Sequence, residues 1–229
     1  MISEGPVNWY LSVKYDCCPL TGAVSANQEL YINKILQRWG MSECHPLPTP
    51  FPAKADDVIT ALTEPILNPD AKIIKEFQEL CGALLYVQVH TVPEISWALS
   101  LLTKYMTKAG PVHLATAKKI LRHLQGRKSE SIPITWCAQA CREPHLPGHI
   151  YGYADASFAD VKPDRTSSMG YVFIINNAAV SWRSTRSPIV VLDACEAEVV
   201  SLSSACQEAV YLRKLCNELG CIQASLTTM

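Results

Sequence analysis

Asp155, inside YGYADASFAD (151–160), and Glu196 and Glu198, inside LDACEAEVVSLSSA (192–205), are the residues whose types and spacing could do chemistry. A carboxylate on a strand and another on a following helix offer hard oxygen donors to Mg²⁺. In phosphodiester hydrolysis two such ions, about 4 Å apart, activate a water and stabilise the leaving oxygen. That cage needs more than two carboxylates. Asp160 and Asp164 lie in the hairpin loop after Asp155, where a solvated role suits both. Glu196 stands three residues after Asp193, the spacing of a capping box, so it is expected to hold the helix start. Glu198 remains as the partner of Asp155, which strand alternation puts on the same face as Tyr153. On spacing alone, Asp155 also reads as an ordinary strand-end aspartate, because two carboxylates do not make a metal site.

The elements that must position this pair are three short strands, 150–155, 170–175 and 179–184. The last two join at NNA, where Asn tolerates the positive φ of a tight turn. A long helix over 194–219 follows, closed by Gly220. Its inward stripe is expected at Val199, Leu202, Cys206, Ala209, Leu212, Cys216 and Leu219. Three antiparallel strands and one covering helix give an α+β class, with one sheet edge open where a further strand would pair. Upstream, residues 127–149 read as a linker. Residues 1–126 read as an N-terminal strand (8–15), a helix from Asn27 to Gly40, a proline-rich extended stretch (45–70), and helices over 71–90, 93–110 and 111–126.

The 229 residues are 48% hydrophobic and 18% charged, with a net charge of −1. This suits a chain with a real core and excludes a global polycation. Nucleic-acid affinity would have to come from a local patch, and AKKILRHLQGRK supplies Lys118, Lys119, Arg122, Arg127 and Lys128 without an acidic residue. The same run reads as a solvated helix face. The apolar stretch 79–102 is interrupted by His90, Pro93 and Glu94 and makes a poor membrane span. MISEGPVNWY lacks a secretory signal's basic head and apolar run, so the expectation is an intracellular chain with no membrane partner. Most of its cysteines, among them Cys81, Cys195, Cys206 and Cys216, then read as reduced, buried thiols. Cys137, Cys141, His145 and His149 recur every four residues, but Pro144 and Pro147 preclude one helix presenting all four, so no zinc site is assigned. His113 reads as a packing or capping residue.

The run GYADASFAD…DRTSSMGYVFIINNAAVSWRSTRSPIVVLDACEAEV closely resembles the ribonuclease H domain of copia-type LTR retrotransposon Pol polyproteins. GPVNWYLSVKY, YINKILQRWGMSECHPLPTP, CGALLYVQVHTVPEISWALSLLTKYM and HLATAKKILRHLQG resemble the stretch that links that family's reverse transcriptase to its ribonuclease H. The resemblance implies a reverse transcriptase connection over 1–126, a linker over 127–149 and a truncated ribonuclease H-like domain over 150–229. It matches the family's first catalytic aspartate to Asp155 and its catalytic glutamate to Glu198. It further implies Mg²⁺ as the intact family's cofactor, with weak or absent binding expected in these residues, and an RNA–DNA hybrid and the rest of a Pol polyprotein as partners. The family's polymerase aspartates lie upstream of these residues, and its third and fourth nuclease carboxylates follow the helix that Gly220 closes. The expectation is therefore a catalytically incomplete segment; the alternative is a non-catalytic nucleic-acid- or protein-binding module retained by the host. The chain departs from the family at Thr91-Val92-Pro93-Glu94, for Thr-Arg-Pro-Asp, and at Asp193-Ala194-Cys195, for Ser-Ser-Thr. Phe158 replaces a tryptophan.

Overall fold

The computed structural model describes residues 8–20, 23–51, 55–130, 132–134, 148–161, 165–221, 223 and 226–229. The chain is a mixed α and β protein that divides into two compact units. One comprises residues 11–13 and 27–131, and the other residues 1–10, 14–26 and 132–229.

The first unit is helical. Helix α1 (Glu29–Arg38) starts where the Asn27 side chain accepts from the Glu29 amide at 2.6 Å, and Gly40 ends the turn after it at φ +62°. Helix α3 (Ala71–His90) is capped by Asp70, whose carboxylate accepts from the Lys72 amide at 2.8 Å. Phe77, Leu80, Cys81 and Leu84 are fully buried on its inner face. Helix α5 (Pro111–Arg127) buries Ala117, Ile120, Leu121 and Leu124 at the spacing of one helical face.

Two expectations change here. The stretch 45–70 is not all extended, because Ala55–Thr63 forms helix α2. Its prolines lie outside those nine residues, Asp56 and Asp57 suit the first turn, and Val58, Ile59 and Leu62 join the core. The expected helix 93–110 is instead a 3₁₀ turn (Pro93–Ile95), helix α4 (Ser96–Leu102) and a second 3₁₀ turn (Thr103–Tyr105). Hydroxyls tighten this segment: Ser96, Ser100 and Thr103 each donate to the carbonyl three residues back, at 2.6, 2.8 and 3.2 Å.

The chain holds two sheets, whose strands fall in the second unit except for Val13 and Asn27. Four strands, β1 (Trp9–Tyr10), β2 (Val13–Cys17), β3 (Val24–Asn27) and β4 (Ile132–Ile134), pair in that order. The expected single strand 8–15 is thus a hairpin, turned at Leu11 and Ser12 with φ +47° and +61°. The other sheet is antiparallel, β5 (Ile150–Val161), β6 (Thr166–Ile175) and β7 (Ala178–Arg186), and its strands run longer than expected. Asn176 and Asn177 make the β6–β7 turn at φ +50° and +64°.

Helix α6 (Ala194–Glu218) covers one face of this second sheet. Ala205, Ala209, Leu212 and Cys216 pack with Ile150, Phe173 and Ile175 in one buried cluster. The expected inward stripe holds only from Ala209 to Cys216. In the first three turns the buried residues are Ala197, Ser201 and Ala205, while Val199, Leu202 and Cys206 are exposed, as is Leu219 at the other end. Small side chains let this end of the helix approach the strands closely, and the larger ones are turned outward. Cys195 is exposed as well, against expectation, whereas Cys81 and Cys216 are buried; the eight described cysteines are all free thiols.

Beyond Gly220 the chain returns to β5. The Gln223 side chain accepts from the Ile150 amide at 3.0 Å and donates to the Gly148 carbonyl at 2.8 Å. Thr228 then bridges Tyr151 in parallel, and its carbonyl accepts from the Gly152 amide at 3.0 Å. The sequence leaves one sheet edge open without saying which, and this end of β5 is paired. No helix among the described residues is long and apolar enough to cross a membrane.

Candidate functional site

Asp155 sits in the middle of β5, opposite Gly170 of β6, which is in turn opposite Ser184 of β7. Its neighbour Ala154 packs against the cluster under α6. Alternation therefore points Asp155 and Tyr153 to the other face, and both are exposed.

The start of α6 sorts the two glutamates. Asp193 is the N-cap, and its carboxylate accepts from the Glu196 amide at 2.7 Å. Glu196 reaches back and accepts from the Leu192 amide at 2.7 Å, one residue before the cap. The N-cap carboxylate and the first-turn carboxylate are thereby spent on capping, which also suits the positive end of the helix dipole. Glu198 is exposed.

One turn beyond Glu198 is a residue that sequence reasoning missed. Ser201 is buried and donates its hydroxyl to the Asp155 carbonyl at 2.8 Å, with the Gly170 carbonyl at 3.4 Å. It seats the first turns of α6 on the strand position that carries Asp155. A serine in an amphipathic pattern reads as surface, and the only signal was its spacing of four from Ala197 and Ala205.

The remaining acidic candidates resolve differently. Asp160 accepts from the Ser168 amide at 2.8 Å and holds the β5–β6 hairpin, while Asp164 lies outside the described residues. Asp155 and Glu198 have the donor chemistry for Mg²⁺. No group of three or more His, Cys, Asp or Glu among the described residues could hold a metal ion, however, so they do not assemble a two-ion cage. Of the weighed zinc donors, Cys137, Cys141 and His145 fall outside the described residues.

On α5 the basic run is partly engaged. Lys118 pairs with Glu76 at 3.1 Å, and Arg122 donates to the His45 carbonyl at 2.8 Å. Arg127 pairs with Glu94 at 3.1 Å and donates to Glu130 at 2.8 Å. Lys119 and Lys128 are half-buried. His113 caps the same helix: its Nδ1 accepts from the Gly110 amide and its Nε2 bonds the Leu62 carbonyl, both at 3.1 Å. Burial holds its pKa below the ordinary histidine value, although the Leu62 bond opposes this.

No family model and no solved structure matches the chain. It is 28% identical over 218 residues, 94% of its length, to the retrovirus-related Pol polyprotein from transposon TNT 1-94 of Nicotiana tabacum. It is 28% identical over 217 residues to the corresponding Pol polyprotein from transposon RE1 of Arabidopsis thaliana. The chain spans 16% of the first and 13% of the second. A shorter relative, the secreted RxLR effector protein 161 of Plasmopara viticola, is 34% identical over 131 residues; these are 57% of this chain and 87% of that protein.

Proposed function

We propose that the chain, similar over most of its length to the retrovirus-related Pol polyproteins of copia-type transposons, joins the connection of a reverse transcriptase to part of a ribonuclease H-like domain. In this reading residues 1–126 are the connection, 127–149 a linker, and 150–229 the ribonuclease H-like part. Asp155 and Glu198 are its first two Mg²⁺-binding carboxylates, and its substrate is the RNA strand of an RNA–DNA hybrid. The single observation carrying the proposal is at the start of α6, where capping occupies Glu196 and leaves Glu198 exposed; Asp155 is exposed on the sheet face that α6 does not cover, so these residues alone do not bring the two carboxylates together. The family's remaining carboxylates follow the helix that Gly220 closes, so these 229 residues are proposed to be catalytically incomplete.

The test is Mg²⁺-dependent cleavage of an end-labelled RNA–DNA hybrid. The purified chain is expected to leave the hybrid intact. A fusion to the segment that follows in the tobacco relative is expected to cleave it, and Asp155→Asn or Glu198→Gln to abolish that activity. Cleavage by the chain alone, lost on Asp155→Asn, would refute incompleteness; a folded but inert fusion would refute the ribonuclease H reading.

A second reading is a nucleic-acid- or protein-binding module that acts without cleavage. Saturable, salt-sensitive hybrid binding by the chain, with the fusion also inert, would select it.

A further inference from the structure

We propose that Cys216 and Cys221, at the C-terminal end of α6, form a reversible thiol–disulfide site whose co-reactant is a small disulfide such as oxidised glutathione. Closing the site pins the turn through which the chain returns to β5. It stands on this turn alone and does not depend on the ribonuclease H reading.

The way the helix stops brings the two thiols together. Gly220 takes φ +81°, and its amide donates to the Asn217 carbonyl at 3.1 Å. The Cys221 amide then donates to the Cys216 carbonyl at 2.8 Å. In a glycine-stopped helix this pair of bonds folds the residue after the glycine back over the last turn, where its side chain meets that of the carbonyl's owner. With standard backbone dimensions the second bond keeps the two Cα atoms within about 6.7 Å of each other. Disulfides span Cα separations of roughly 4.4–6.8 Å. The side chains agree: Cys216 is buried in the cluster with Ala209, Leu212 and Ile150, and Cys221 packs against that cluster. Both are free thiols here, so this is the reduced form of the site.

The two thiols differ in a way that orders the chemistry. Cys221 is half-buried and within reach of a small reagent, whereas Cys216 is buried. Burial, and after it the charge of the neighbouring Cys221, push the Cys216 thiol above the ordinary cysteine value. Cys221 therefore attacks first, as its thiolate. Its sulfur bonds one sulfur of oxidised glutathione, the S–S bond breaks, and one glutathione leaves with the proton that Cys221 gave up. Cys216 then loses its proton and attacks the Cys221 sulfur. The mixed disulfide breaks, and the second glutathione leaves with that proton. Two protein thiols are oxidised and one glutathione disulfide is reduced to two thiols; excess reduced glutathione runs both steps backwards. Beyond Cys221 the chain is tied down again. Arg213 donates to the Gln223 carbonyl at 2.9 Å and to the Thr227 hydroxyl at 3.2 Å, and the Thr228 carbonyl accepts from the Gly152 amide at 3.0 Å. A crosslink at the start of this return restrains those contacts.

The experiment equilibrates the full chain in buffers of graded oxidised-to-reduced glutathione ratio, quenches with iodoacetamide and reads tryptic peptides by mass spectrometry. Residues 215–229 follow Lys214 and contain no lysine or arginine, so both thiols fall in one peptide. As the ratio rises, that peptide is expected to escape alkylation and to lose two hydrogens without gaining glutathione. At a given ratio the folded chain is expected to close about tenfold more than the same chain in urea, because the turn raises the effective concentration of one thiol at the other. Cys216→Ser is expected to leave Cys221 as a glutathione adduct, and Cys221→Ser to leave Cys216 reduced. Hydrogen exchange at the Gly152 amide is expected to slow severalfold in the oxidised chain. A lasting glutathione adduct on wild-type Cys221, or closure no greater in the folded chain than in urea, overturns the site. Closure without slower exchange at Gly152 overturns the pinning.

Discussion

Gly152→Ala is the most discriminating test of how the β5–β6–β7 sheet meets α6. A Cβ at Gly152 would lie 2.6 and 2.7 Å from two ring carbons of Phe173 and 3.0 Å from the Val172 carbonyl. Ordinary contact needs about 3.5 Å or more, so the ring must move by roughly 1 Å. Phe173 is fully buried in the cluster formed with Ala205 and Ala209 of α6, so it cannot swing into solvent. Overpacking of this kind costs about 1–3 kcal/mol. At about 2 kcal/mol the population that opens this packing rises roughly 30-fold. Cys216, buried in the same cluster, reports that opening through its alkylation rate, followed site by site by mass spectrometry. Cys81 is the internal control: it is fully buried in the helical unit, and burial pushes its thiol up to about 12. The expected result is faster labelling of Cys216 with Cys81 unchanged, and partial recovery when Phe173→Leu is added, because the two sites are coupled. Unchanged Cys216 labelling, or equal acceleration of both thiols, would refute the packing argument.

Three further outcomes are expected. Asp193→Ala removes the α6 cap and should cost about 1 kcal/mol in urea unfolding, whereas Glu198→Ala should stay within about 0.5 kcal/mol; the reverse order would show Glu198 to be structural. The neutral form of His113 is favoured in the folded state, so its contribution is full above the unfolded value of 6.5 and declines as pH falls below it toward the lowered folded pKa. His113→Gln should flatten that dependence between pH 5 and 7.5, and an unaltered pH profile would contradict the assignment. Ser201→Ala removes the hydroxyl bonded to the Asp155 carbonyl and should destabilise the fold by about 1 kcal/mol, read from the same urea transitions.

What could be read in the sequence follows from which signals are local. The Asn176–Asn177 turn, the Asp193 cap and the Gly220 stop are set by side chains acting on their own backbone, and each stands where expected. The Leu11–Ser12 turn carries positive φ on two residues that give no such signal. Helix α2 was hidden because prolines on both sides of residues 55–63 dominate the composition of the whole stretch. In α6 two stripes run at helical spacing, Ala197–Ser201–Ala205 and Val199–Leu202–Cys206. Hydrophobicity favours the second, but closeness to the sheet selects the first. The same conflict hid Ser201.

The central claim is that Asp155 and Glu198 act together on a metal ion. Paramagnetic broadening of amide resonances by Mn²⁺, a stand-in for Mg²⁺, tests it on the fusion to the segment that follows in the tobacco relative, which is expected to supply the remaining carboxylates. The account predicts saturable broadening centred on both Asp155 and Glu198, lost on either Asp155→Asn or Glu198→Gln. Broadening confined to one of the two, or unaffected by either substitution, would contradict it.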